Sequence, residues 1–168
     1  GFLSKARTQF GNYGFIHYQT LDIEQPPADQ GFRLGQFDMI IAANVLHATR
    51  DLRQTLTHVC QLLAPGGLLV LLESTSRRRW VDLTFGLTAG WWRFAEQIAP
   101  RVRPTDGRID HPLLPPEQWR TLLRAAGFQT ITCTPEPDMD EHLGQTVLIA
   151  QADAAPIQQA QPCRQAHV

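Results

Sequence analysis

The chain has 168 residues, 43% of them hydrophobic and 18% charged, with a net charge of −1, which describes one domain around a single core and gives no global charge for holding nucleic acid or an anionic membrane. Its cysteines, Cys60, Cys133 and Cys163, include no C-x-x-C pair and no histidine at metal-ligand spacing, so no metal and no disulfide framework is expected and a reducing, cytoplasmic setting is. No signal peptide opens the sequence, and the nearest candidate for a membrane span, residues 80–98, carries Asp82, Arg93 and Glu96.

In chain order, Phe2, Leu3, Ala6 and Phe10 keep a helical spacing that Gly11-Asn12 ends. Residues 15–23, rich in aromatic and β-branched side chains, read as a strand, and a loop with Pro26-Pro27 and Gly31 follows. Residues 37–43 form a short apolar run of the buried-strand type. Leu52, Leu56, Val59 and Leu62 then repeat at helical spacing, with Thr49 or Asp51 available as N-cap, until Ala64-Pro65-Gly66-Gly67 stops the helix and residues 68–72 begin a second apolar strand. This β-α-β order with two apolar strands predicts a parallel sheet covered on both faces.

The run Arg77-Arg78-Arg79 is the one local basic cluster, by default a solvated turn and otherwise a contact for an anion or an acidic partner. Trp80, Leu83, Leu87, Trp91, Phe94 and Ile98 make another helical stripe, interrupted by Gly86 and Gly90. Such a stripe is first of all core, although the Trp91-Trp92 pair also suits an apolar substrate pocket. Residues 101–116 lack periodicity and read as a loop. Pro116, Trp119, Leu122 and Leu123 describe a compact helix stopped by Gly127. Residues 128–132 and 145–150 are two last strands, a hairpin-like pair around a Pro/Asp-rich loop at 135–142. From Gln151 onward, alanine, glutamine and proline read as a disordered linker, which puts the domain at 1–150 and the linker at 151–168.

Two titratable residues stand at strand ends. His47 lies just past the first apolar strand and Glu73 at the end of the second, and neighbouring parallel strands deliver their C-terminal ends to one crevice. A histidine between Leu46 and Ala48 is by default a hydrogen-bonded structural residue. At a crevice it suits general-base work, and a carboxylate within reach would orient the ring and stabilise the imidazolium. Asn44 sits at the same strand end, and Asp22 ends the expected 15–23 strand where open α/β sheets often hold a nucleoside.

The segments Asp38-Met-Ile-Ile-Ala-Ala-Asn44-Val-Leu-His47-Ala-Thr-Arg50-Asp51, Leu63-Ala-Pro-Gly-Gly67, Leu72-Glu73, Phe85-Gly-Leu87 and Gly90-Trp-Trp92 resemble the C-methyltransferase domain of modular polyketide synthases, as do Leu21-Asp-Ile-Glu-Gln25 and Leu114-Pro-Pro-Glu-Gln-Trp119. The resemblance covers about residues 1–150. It implies an α/β, Rossmann-like class I methyltransferase sheet with helices on both faces. It also implies methyl transfer from S-adenosylmethionine to the α-carbon of a β-ketoacyl chain carried on the phosphopantetheine of an acyl carrier protein, beside neighbouring synthase domains. His47 and Glu73 match the catalytic dyad. By the same resemblance Asp22 with Ile23 contacts the adenine, the Asn44 region takes the methionine end, and Trp91 and Trp92 face the substrate.

Family members begin with a glycine-rich cofactor loop after the first strand and an acidic ribose ligand after the second, and this sequence has neither. The first two strands of the sheet order 3-2-1-4-5-7-6 are therefore expected to be missing. The 15–23 strand is expected to lose its neighbour while the four strands after it stay contiguous, in a synthase fragment that binds the cofactor poorly alone. Two alternatives stand beside this reading: an O-methyltransferase of the same fold, and a non-catalytic structural module of a megasynthase.

Overall fold

The computed structural model describes residues 1–97, 108, 111–134 and 144–154. Its centre is a four-stranded sheet in the order β1-β2-β4-β3, with β1 Phe37–Ala43, β2 Leu63–Ser74, β3 Phe128–Thr134 and β4 Gln145–Ala152. β1 and β2 are parallel, with Ile40 opposite Leu69 and Ala43 opposite Leu72, while β4 runs antiparallel to both β2 and β3. The four expected contiguous strands are therefore present, and β4 continues two residues past the expected end at 150. The loop at 135–142 and the tail from 155 lie outside the described residues.

Helix α1 spans Phe2–Phe10, α2 Leu52–Leu62, α3 Arg79–Phe85 and α4 Pro116–Ala125, with a 3-10 segment over Ala89–Gln97. Asp51 is the N-cap of α2, its carboxylate accepting from Arg53 N and Gln54 N. Helix α2 passes almost directly into β2, and the two glycines at that junction are each required. Gly66 has φ +76°, and a Cβ on Gly67 would stand 2.9 to 3.2 Å from the carbonyl oxygens of Ala64, Phe37 and Asp38.

Leu52, Leu56 and Val59 of α2 and Trp119, Leu122 and Leu123 of α4 bury against Leu69, Leu71, Leu148 and Ala150. Side chains alternate along a strand, so the inward series of β2 runs Leu69, Leu71, Glu73: the next step after two leucines is a carboxylate. The opposite face differs from the expected two-sided cover. Met39 and Ile41 are 51% and 72% exposed there, and the core helices α2 and α4 both pack on the other side.

Two further expectations change. Residues 15–23 form no strand. A strand exists through a neighbour's hydrogen bonds, and none of the described strands runs beside this segment; it is held locally instead, by Ile16 N to Tyr13 O (3.1 Å) and by Arg7 Nη2 to Tyr18 O (3.2 Å). The stripe from Trp80 is also not one helix, because α3 ends at Gly86 and the chain resumes as the 3-10 segment. No helix among the described residues is long and apolar enough to cross a membrane.

Candidate active site

The site forms where β1 ends. Asn44 takes a left-handed conformation, φ +50°, which asparagine tolerates better than most residues. It ties the two parallel strand ends together: its N–H donates to Leu72 O (2.7 Å), and its Oδ1 accepts from Ser74 N (3.1 Å) and Ser74 Oγ (3.2 Å). The chain then turns through a short 3-10 segment, Leu46–Ala48, that carries His47 across to β2.

There His47 Nδ1–H donates to Glu73 Oε2 at 2.5 Å, and Leu46 N donates to Glu73 Oε1 at 3.0 Å. Glu73 is wholly buried and the His47 side chain is 11% exposed. A buried carboxylate is costly unless its oxygens are hydrogen-bonded, and here each one is. With Nδ1 committed to Glu73, the ring nitrogen left to accept a proton is Nε2.

The loop carrying His47 is fixed from behind by Arg108, which is 1% exposed. Its Nη1 donates to His47 O (2.9 Å) and Thr49 O (2.7 Å), its Nη2 donates to Arg50 O (2.6 Å), and the guanidinium lies 5.5 Å over the Phe94 ring. Glu24 holds the same loop from another side, accepting from Arg50 N (2.5 Å) while its other oxygen pairs with Arg93.

In front of His47 opens a cavity of about 690 Å³. Val81, Phe85, Trp91 and Leu113 give it an apolar wall, and Asn44, Ser74, Ser76, Arg78 and Gln145 line it with polar groups. Trp91 meets the His47 ring edge-on at 5.8 Å, stacks on Phe85 at 5.8 Å, and meets His111 edge-on at 5.7 Å. His111 accepts from Leu113 N at Nδ1 (3.1 Å), so its proton sits on Nε2, which donates to Asp82 Oδ1 (2.9 Å).

The structure brings His47, Glu73, Asn44 and Trp91 together. Trp92 does not join them. It is 44% exposed and its Nε1 donates to Gly86 O (2.8 Å), because neighbours on a 3-10 segment point about 120° apart and only one of the pair can face the cavity. Asp22 and Ile23 lie off the cavity lining. Asp22 is exposed in a local turn, its Oδ1 accepting from Glu24 N (3.1 Å), and Ile23 O accepts from His58 Nδ1 (2.7 Å). Through Glu24 that turn is joined to the loop of His47. The sequence reading missed Arg108, Glu24, and the His111–Asp82 pair. Glu24 stands two residues from Asp22, but neither it nor the others carries a spacing pattern.

Residues 1–69 match the family model "Methyltransferase domain". The polyketide synthase ThaQ of Burkholderia thailandensis is 43% identical over 155 residues, 91% of this chain and 7% of that protein. Among solved structures, the CurJ carbon methyltransferase is 54% identical with a TM-score of 0.79, covering 90% of this chain and 39% of that one. The trans-methyltransferase CalH, solved in complex with SAH, is 34% identical with a TM-score of 0.76 over 90% of this chain and 40% of that one. The chain spans 5 to 7% of the length of the curated relatives it matches.

The sheet is that of the Rossmann-like class I methyltransferase fold. Within that class the likeness is to the carbon-methyltransferase domains of polyketide synthases.

Proposed function

We propose that this chain methylates the α-carbon of a β-ketoacyl thioester carried by an acyl carrier protein, within a larger polyketide synthase. The observation that carries the reading is the 2.5 Å contact of His47 with buried Glu73 at the edge of a largely apolar cavity. A carbon between a ketone and a thioester is acidic enough for a positioned imidazole to deprotonate. Glu73 keeps the Nδ1 proton in place, presents Nε2 as the base, and stabilises the imidazolium once the α-proton has moved. Trp91 packs against the base and forms the apolar surface against which the acyl chain lies.

S-adenosylmethionine supplies an electrophilic methyl group when bound. Asn44 suits its methionine end, since Ser74 occupies Oδ1 and leaves the amide N–H donors for an anionic oxygen. Asp22 has an exposed carboxylate suited to the amine and hydroxyl groups of the nucleoside, with Ile23 beside it. The chain covers about two-fifths of the solved domains it resembles, and we propose that alone it binds the cofactor weakly. Titration calorimetry giving a micromolar Kd for this chain would refute that part.

The test of the reaction is transfer of labelled methyl by the full-length protein. A β-ketoacyl thioester is expected to accept the label on carbon, and its α,α-dimethyl analogue to accept none. Label on oxygen of either would favour an O-methyltransferase. A non-catalytic module has no use for a buried carboxylate aligned on a histidine at a cavity.

A further inference from the structure

We propose that Arg78 forms an oxyanion-binding subsite in the cavity, its guanidinium holding the ketone oxygen of the substrate as negative charge builds there. The inference rests on the deprotonation reading above and assigns a group that reading leaves open. When the α-carbon loses its proton, the C–H bond breaks, the proton goes to His47 Nε2, and the electron pair passes to the carbonyl oxygen. The resulting imidazolium is paired with the Glu73 carboxylate, so the charge of the dyad is balanced internally. Stabilisation of the enolate has to come from another part of the cavity.

The lining contains one such group. Among the described residues that line the cavity, His47 and Arg78 are the only ionisable side chains, and Arg78 alone carries a permanent charge. Strand register places it on the same rim as the dyad. Glu73 pairs with Thr146, Ser74 with Gln145, and Thr75 N donates to Gly144 O (3.0 Å), so the chain leading to Arg78 runs directly on from Glu73. Gly144 has φ +65°, and a Cβ there would stand 2.8 Å from Ser76 Oγ and 2.9 Å from Arg78 Nε. The absent side chain is the space in which the guanidinium lies. Ser76 Oγ, in the same cradle, is buried with no hydrogen-bond partner among the described residues, as expected of a polar group reserved for a ligand. The apolar wall of Val81, Phe85, Trp91 and Leu113 strengthens any charge interaction formed beside it.

The experiment separates enolisation from methyl transfer. Deuterium exchange at the α-carbon of an acetoacetyl-pantetheine thioester is followed in D2O with the full-length protein and no cofactor, as a rate above the buffer blank. Arg78→Met is expected to lower that rate about 100-fold while leaving the KM for the thioester within about threefold, and added guanidinium ion to restore part of it. Full exchange by Arg78→Met, or a loss confined to KM, overturns the subsite. If thermal melting shows Arg78→Met unfolded, Arg78→Lys decides: a loss of about tenfold supports the fork-shaped donor and an unchanged rate overturns it. No exchange above the blank by the unaltered protein defeats the deprotonation reading itself, and this inference with it.

Discussion

Glu73 gives both of its carboxylate oxygens to the segment that carries His47, one to the ring at 2.5 Å and one to the backbone N–H of Leu46 at 3.0 Å. The same group therefore fixes the tautomer of the His47 ring and the position of the turn that holds it. Replacing it separates the two roles. Glu73→Gln keeps an acceptor for Leu46 N but turns an amide N–H toward His47 Nδ1, which favours the tautomer protonated at Nε2 and leaves no lone pair facing the cavity. The expected result is a fall in kcat of about 10³ to 10⁴ with folding retained, read by labelled-methyl transfer beside a thermal melt. A variant within tenfold of the unaltered protein would remove Glu73 from the mechanism.

Arg108 serves the same loop structurally. Arg108→Met leaves the carbonyls of His47, Thr49 and Arg50 without their buried donors, and the expected loss is about 3 kcal/mol of unfolding free energy by urea titration. The displacement should also reach the His47 ring, the proposed base, so kcat is expected to fall even where the variant is fully folded. An unchanged urea midpoint would show that the three hydrogen bonds are not needed.

These two residues also show what a sequence discloses and what it conceals. His47 and Glu73 were legible because a strand is a ruler: alternation puts Glu73 on the inward face after Leu69 and Leu71, and parallel strands bring their ends side by side. The four-strand order and helices α2 and α4 were legible for the same reason, through periodicity and the glycines that end it. Arg108 and His111 lie in a stretch without periodicity and act through contacts formed only when distant segments meet. Residues 15–23 carry strand-forming side chains, but composition does not supply a neighbour. Trp91 and Trp92 looked equivalent as a pair, and only the turn of the backbone between them separates the cavity wall from the surface.

The Pro-Gly-Gly junction before β2 yields a backbone prediction. A Cβ at Gly67 would press against three carbonyl oxygens at 2.9 to 3.2 Å, whereas one at Gly90 meets nothing within 4 Å. Gly67→Ala is expected to cost about 2 kcal/mol, and Gly90→Ala to stay within about 0.5 kcal/mol. Paired urea titrations check this, and equal midpoints for the two variants would contradict the packing at the junction.

His111 is held in one tautomer by two partners, Leu113 N on one nitrogen and Asp82 on the other. Nitrogen-detected NMR should find its neutral form protonated at Nε2. Asp82→Asn removes the charge and Asp82→Ala the acceptor, but Leu113 N still donates to Nδ1, so the tautomer should persist in both; Asp82→Ala should loosen α3 against the Trp91 wall, with broadened indole signals as the readout. A neutral His111 protonated at Nδ1 in the unaltered protein would contradict the Leu113 contact.

Burial, and secondarily the negative charge of Asp153, push the Cys60 thiol above its ordinary range. The sign of the linkage follows from the neutral form being the one the fold prefers. That preference contributes stability in full below the ordinary thiol pKa of about 8.5 and loses it as pH climbs through the raised value. Cys60→Ala should therefore flatten the alkaline decline: the gap between its urea midpoint and that of the unaltered protein is expected to narrow from pH 7 to pH 10. The same preference keeps the thiolate scarce, so iodoacetamide at pH 7.5 should label Cys60 slowly in the folded chain and quickly in urea, as mass spectrometry would resolve. Rapid labelling of the native protein at that pH would place the thiol in an environment unlike the one Gly127 and Asp153 make around it.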